Sequence, residues 1–316
     1  MLIINNFLNG TFDNIINKYK LIYDSKIEKI NIEDELNKNE TLLGVTDVYG
    51  EGIILTINDG TDITHQEDII VLFDEIKNAG AEAISINDKR ITNSTYIYCD
   101  GNVLLIDGEK IQAPFTIKAI GNKNSLSVAL LRNKGYVEVL RKAGLEVNVV
   151  ENDYIEISRC SEAIFKEYEA ENSNINKIIA SNKLIGKTRV SDSGIEITIN
   201  NKITAVYLMQ IINNLKSGGA TAVSVNNQRI VNMTDIVEIS DSILVNSNSI
   251  STPYIIKSTG NTQKLVEEMN LANSTINKLK EKGLDIEIKE KKHITVEKYV
   301  PKRENSKMNL EYVKYK

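Results

Sequence analysis

An α+β fold built twice is what this sequence predicts, on two observations. An ordered internal repeat runs through most of the chain. Within each copy, short segments with every second residue apolar flank segments with apolar residues three and four apart. The repeat is clearest where GAEAISINDKRITNST (Gly80–Thr95) matches GATAVSVNNQRIVNMT (Gly219–Thr234), and where APFTIKAIGN (Ala113–Asn122) matches TPYIIKSTGN (Thr252–Asn261). The offset is 142 residues before the first helix and 139 after it, so the first copy carries three extra residues around Asn58–His65.

These matches place the copies at residues 44–159 and 184–298. The remainder is an N-terminal segment, 1–43, read as partly helical, a helical connector, 160–183, and a basic tail, 299–316, expected to be solvated. Apolar stripes support the two helical readings. One, imperfect, runs through Ile15, Tyr19, Ile22, Lys26 and Ile30, the other through Ile164, Phe165, Tyr168, Ile175 and Ile178.

Each copy has the same order of elements. Ile53, Leu55 and Ile57 alternate as a strand with one apolar face. Thr64 and Glu67 have capping-box spacing before a helical stripe of Ile69, Leu72, Phe73 and Ile76, which Gly80 ends. Ala83–Ile86 resumes a strand. Tyr96–Tyr98 and Val103–Ile106 flank the turn pair Asp100-Gly101, and Asp107-Gly108 supplies another reversal. Phe115, Ile117 and Ala119 form a further strand. Helical structure follows over Leu126–Leu131 and Tyr136–Ala143, then strands at Leu145–Val149 and Tyr154–Ile157. Gly52, Gly121 and Gly144, with Gly194, Gly260 and Gly283 in the second copy, read as left-handed turns and element exits. The simplest layered solution is a tandem repeat of two modified ferredoxin-like domains with antiparallel or mixed sheets and helices on one face.

Composition narrows the function classes. The 316 residues carry a formal charge of -5, with 41% hydrophobic and 26% charged residues, which fits packed cores and argues against specific nucleic-acid binding. No stretch approaches the roughly 18 apolar residues of a membrane span, and the opening MLIINNFLNG has no basic n-region. As written, the chain is expected to be soluble and cytoplasmic, without a transmembrane segment. Cys99 and Cys160 lack CxxC spacing and read as free thiols.

In the ordered combination of GAEAISINDKR (Gly80–Arg90) with PFTIKAIG (Pro114–Gly121), and of GATAVSVNNQR (Gly219–Arg229) with PYIIKSTG (Pro253–Gly260), the chain resembles two copies of the bacterial domain of unknown function 881. The resemblance implies a ferredoxin-like α+β plait and an envelope-associated setting, with no catalytic residues to carry over. Members of that family resemble proteins with an N-terminal membrane helix, a coiled segment and a single extracytoplasmic domain. This chain departs by duplicating the domain and lacking such a helix.

The recurring polar set is Asn87, Arg90 and Asn93, repeated as Asn226, Arg229 and Asn232. An arginine fork and two amides after a short strand suit contact with an anion or a peptide backbone. The same residues suit a local salt bridge and a satisfied turn. Asp59, Asp62, Glu67 and Asp68, with His65, do not match a calcium loop, and helix capping accounts for them. His65 and His293 fall in no base–nucleophile or zinc pattern. No cofactor and no metal are expected. The reading is a non-catalytic protein-interaction or scaffold module with a protein partner, linked through the resemblance to envelope or division assembly. The alternative is a sensor for a small anionic ligand.

Overall fold

The computed structural model describes residues 20, 28–59, 64–101, 103–160, 173–300 and 310–315. Helix α1 (residues 28–43) leads into the first copy. That copy comprises β1 (Val48–Asn58), α2 (Gln66–Asn78), β2 (Ala83–Ile86), β3 (Lys89–Arg90), the meander β4 (Ile97–Asp100), β5 (Val103–Ile106) and β6 (Glu109–Ile111), then β7 (Phe115–Ile120), α3 (Lys123–Leu130), α4 (Tyr136–Lys142) and β8 (Glu146–Ile157). After α5 (Asn174–Leu184) the order recurs as β9 (Val190–Ile199), α6 (Ala205–Ser217), β10 (Ala222–Val225), β11 (Gln228–Ile230), β12 (Ile236–Ile239), β13 (Ser242–Val245), β14 (Asn248–Ile250), β15 (Tyr254–Thr259), α7 (Thr262–Met269), α8 (Thr275–Glu281) and β16 (Ile286–Val296). A short strand, β17 (Lys314–Tyr315), follows.

The main sheets run β8-β1-β7-β2-β3 and β16-β9-β15-β10-β11, with every neighbour antiparallel. Without the short β3 and β11, each sheet reads fourth, first, third, second in chain order, the ferredoxin-like plait. Each meander is a separate three-stranded sheet inserted before the third plait strand. Alternation sets the faces: Ile53, Leu55 and Ile57 are wholly buried, against the α2 stripe of Ile69, Leu72, Phe73 and Ile76.

Three local expectations are corrected. Helix α2 starts one residue late, with His65 at its N-cap and the Asp68 carboxylate accepting the His65 amide at 2.7 Å; the Thr64 amide instead donates to Asp59. The two strands expected after Gly144 are one, β8, because a register shift opposite Gly50–Gly52 absorbs the polar residues between them. Gly52 and Gly194 sit inside strands rather than at turns. A Cβ there would lie 1.9 Å from the Ala119 carbonyl oxygen and 2.0 Å from that of Ser258, so glycine serves close backbone approach. The residues of the N-terminal stripe before Ile30, Asp62, and the connector residues Ile164, Phe165 and Tyr168 lie outside the described residues.

The copies share one core. A single cluster of buried side chains runs from Ile53 through Leu72 and Ile97 into Ile197, Leu208 and Ile236. Helices α2 and α6 pack against each other. Two reciprocal bonds fix the contact: Asp74 Oδ1 accepts the Ile236 amide at 2.8 Å, and Asn213 Oδ1 accepts the Ile97 amide at 2.8 Å. Asp74 and Asn213 are equivalent positions, as are Ile97 and Ile236. That reciprocity is what a two-fold relation between the copies generates. Helices α1 and α5 repeat it, since Asn39 Nδ2 donates to Ser181 Oγ, its own counterpart, at 2.9 Å.

Asn213 also donates to the Ile97 carbonyl at 2.6 Å, so Asn213→Ala strands a buried donor and a buried acceptor of the other copy. The expected loss is about 1–3 kcal/mol of unfolding free energy. Urea denaturation followed by tyrosine fluorescence and by circular dichroism checks it. Because the core is continuous, both signals are expected to keep one common transition.

Candidate functional site

The six sequence-selected residues fall into three pairs, each tied to the chain's own backbone. Asn87 and Asn226 occupy left-handed positions, both with φ 44°, which suits asparagine in the turn after β2 or β10. Asn87 donates to the Gln112 carbonyl at 2.9 Å and accepts the Thr116 amide at 2.7 Å. Asn226 does the same with Ser251 at 2.8 Å and Ile255 at 2.7 Å. Each pins a hairpin to the third plait strand.

Arg90 and Arg229 are buried, at 4% and 1% exposure, beneath the ends of the helices that precede each copy. Arg229 Nη2 donates to the Lys183 carbonyl at 3.0 Å, and Arg90 Nη2 to the Thr41 carbonyl at 3.4 Å. Both carbonyls belong to the last turn of a helix, where orphan acceptors and the negative end of the helix dipole favour a cation. Gly44 and Gly186 follow those helices; a Cβ on Gly44 would crowd Thr92 and Arg90, at 3.1 and 3.2 Å, and one on Gly186 would lie 2.7 Å from Val231. Burial lowers both guanidinium pKa values to about 10. Asn93 and Asn232 bridge the copies, donating to the Leu184 carbonyl at 3.0 Å and the Ile91 carbonyl at 3.2 Å. The structure therefore does not bring the six together in one site.

A different site was missed in the sequence, where the tail was expected to be solvated. Residues 310–315 return to the first copy, and β17 pairs antiparallel with β1, Val48 opposite Tyr315 and Tyr49 opposite Lys314. There β17 occupies the edge of β1 that β7 leaves uncovered. The Glu82 carboxylate accepts three consecutive tail amides, those of Glu311, Tyr312 and Val313, at 2.8, 2.8 and 2.9 Å. Burial pushes the Glu82 carboxyl up, while those amides pull it the other way. Val313 is buried with Val48, Ala83, Ile120, Ile155 and Ile157, and the Tyr312 hydroxyl accepts from Asn122 at 3.2 Å. Gly50 makes room, since a Cβ there would lie 2.2 Å from the Tyr312 carbonyl oxygen.

The second copy lacks this slot. Asp192 stands at the position of Gly50 and Thr221 at that of Glu82. Among the described residues, Val190, Ser191 and Asp192 of β9 pair with β16 and with no other strand. The one signal in the sequence was this mismatch, a glycine and an acid present in one copy of a close repeat.

Among the described residues, no group of three or more His, Cys, Asp or Glu side chains is placed to hold a metal ion. Both cysteines are free thiols. No helix among the described residues is long and apolar enough to cross a membrane.

Fold and site together define a tandem α+β protein whose two plaits share a core and whose first sheet carries an added strand. The chain belongs to the family described as "Bacterial protein of unknown function (DUF881)", whose model matches residues 35–169 and again 177–309. It is 30% identical over 133 residues to UPF0749 protein YlxW of Bacillus subtilis (strain 168), covering 39% of this chain and 58% of that protein. It is 27% identical over 146 residues to UPF0749 protein YlxX of the same organism, covering 41% and 62%. The matched region thus spans less than two thirds of these relatives' length. A crystal structure of an uncharacterized conserved protein from Mycobacterium tuberculosis aligns at 23% identity and a TM-score of 0.38, covering 41% of this chain and 96% of that one.

Glu82→Ala removes the acceptor of three amides and is expected to weaken tail docking by about 1.5–3 kcal/mol. Hydrogen exchange read by mass spectrometry checks it: protection across residues 311–313 falls at least about tenfold, while β9 and β15 exchange unchanged.

Proposed function

We propose that the chain is a non-catalytic protein-interaction module that binds an extended peptide by strand addition to the first copy. The carrying observation is the grip of Glu82 on three consecutive amides of an added strand. Main-chain recognition of this kind supplies affinity without demanding one sequence, and a pocket for an alternate side chain supplies the preference. Here the Val313 position is that pocket. In this state the chain's own residues 310–315 fill the slot, and a partner strand competes with them. The shared core holds the slot in fixed orientation to the second copy, which suits a scaffold. Assembly at the bacterial envelope or division site is the setting that the family resemblance favours.

The test empties the slot and refills it. Val313→Asp places a charge where a buried valine sits, at 5% exposure, and releases the tail. A fluorescent peptide of residues 310–315 is then expected to bind this variant saturably, to bind wild type weakly, and to lose binding when Glu82→Ala is added. Equal binding to all three proteins, or to none, overturns the proposal.

A further inference from the structure

A cleft of about 500 Å3 opens between the meander of the first copy and the C-terminal end of α6 from the second. Its first-copy wall includes Lys89, Arg90, Asp107 and Glu109, with Arg159 beyond β8; Lys216, Ser217 and Gly219 form the facing wall. Most of the acid in this wall is already engaged. Glu109 pairs with Lys89, and Asp88 pairs with Lys118 at 2.6 Å. Asp107 accepts the Tyr96 amide at 2.9 Å, and burial pushes its carboxyl up.

Two of the cations, Arg90 and Lys216, are less well matched. Arg90 has one long bond, and its Nε and Nη1 have no hydrogen-bond partner. Lys216 forms none of the ion pairs made among the described residues. It also lines a smaller cavity, of about 80 Å3, between α2 and α6. In that cavity stands Lys77, its equivalent in the first copy, together with Asp74. Burial first, and then the charge of Lys77, push the Lys216 ammonium down to about 7, and Asp107 opposes them. Tyr96, Glu268 and Cys160 are further titratable neighbours, all pushed up by burial; Ser217 bonds Glu268, and Cys160 and Asp47 lie close enough to Arg90 to favour its charge.

The second copy does not repeat this charge pattern. Asn227, Gln228, Asn246 and Asn248 replace Asp88, Lys89, Asp107 and Glu109. A hydrogen bond of 3.0 Å, Asn248 Nδ2 donating to Gln228 Oε1, stands where the Lys89–Glu109 ion pair would be. The charged cleft is therefore a property of the first copy.

We propose that this cleft binds a small oxyanionic ligand, a carboxylate or a tetrahedral oxyanion, with Lys216 Nζ as its direct donor and Arg90 supplying positive field from beneath. Arg90 is buried and Lys216 half-buried, neither in a direct ion pair, and an anion between them offsets the cost of that poor pairing. Binding favours the ammonium form of Lys216 and so takes up a proton. The sign follows from linkage: the free group loses its proton above about pH 7, so affinity falls as pH rises past that point. Uptake is small below that pH and grows towards about one proton as pH rises through it.

Calorimetric titration of the full chain with sodium sulfate and with sodium acetate, at constant ionic strength, tests this. Neither anion titrates near neutrality, and two buffers of different ionisation enthalpy count the protons. Saturable binding with proton uptake is expected for at least one anion: sulfate identifies a tetrahedral group, acetate a carboxylate. Lys216→Met, which removes a poorly solvated charge and so folds at least as well, is expected to weaken binding about tenfold or more. Lys216→Arg, permanently charged, is expected to bind without taking up a proton. Three results overturn the proposal: no saturation by either anion, unchanged affinity in Lys216→Met, or uptake that persists in Lys216→Arg.

Discussion

The amides of Ile97 and Ile236 point away from their own meanders, and each finds its acceptor on a helix of the opposite copy. A buried donor without a partner is expensive, so neither meander is satisfied by its own copy. The apolar side chains beside these bonds follow the same logic, because the cluster they join belongs to both copies. What the repeat produces is therefore closer to a dimer joined in one chain than to two beads on a string. Linking them replaces an intermolecular encounter with an intramolecular one at high effective concentration.

Within that frame the copies have diverged where they meet solvent and kept what they share. Buried arginines, turn asparagines and helix exits recur at matched positions, because each answers a backbone requirement that both plaits have. The exteriors answer separate requirements. Gly50 and Glu82 admit a strand, whereas Asp192 and Thr221 do not. Four charged residues around Arg90 have uncharged amide counterparts around Arg229. Duplication lets one copy take on a surface while the other preserves the interface.

The plait was legible because its determinants are periodic and local: alternation in β1, the stripe in α2, glycines after helices, and all of these twice. The site was legible only in part. Arg90 and Arg229 stood out as a recurring pair, but their acceptors are helix carbonyls 49 and 46 positions away, and such bonds leave no pattern in sequence. Asn93 and Asn232 concealed their role for the same reason, since they reach into the other copy. The tail was misread because Lys-rich composition suggests solvation, while the features that dock it are one valine and unbiased backbone amides. A continuous β8 was read as two strands because the polar residues between Val149 and Tyr154 interrupt the apolar alternation, yet there the ladder is kept by a shift in register.

The approach of the Tyr312 carbonyl to Gly50 has a consequence for the order of assembly. Translation delivers Gly50 long before Tyr312, with the whole second copy between them. The nascent first sheet therefore emerges with one strand's edge bare, beside an acid, Glu82, that has no amides to receive. An exposed edge of this kind invites pairing with any extended chain nearby. The interval closes only when the second copy has been made and its downstream segment has turned back. Docking of β17 thus waits on the synthesis of the second copy, and until then the edge that the finished protein covers stays open.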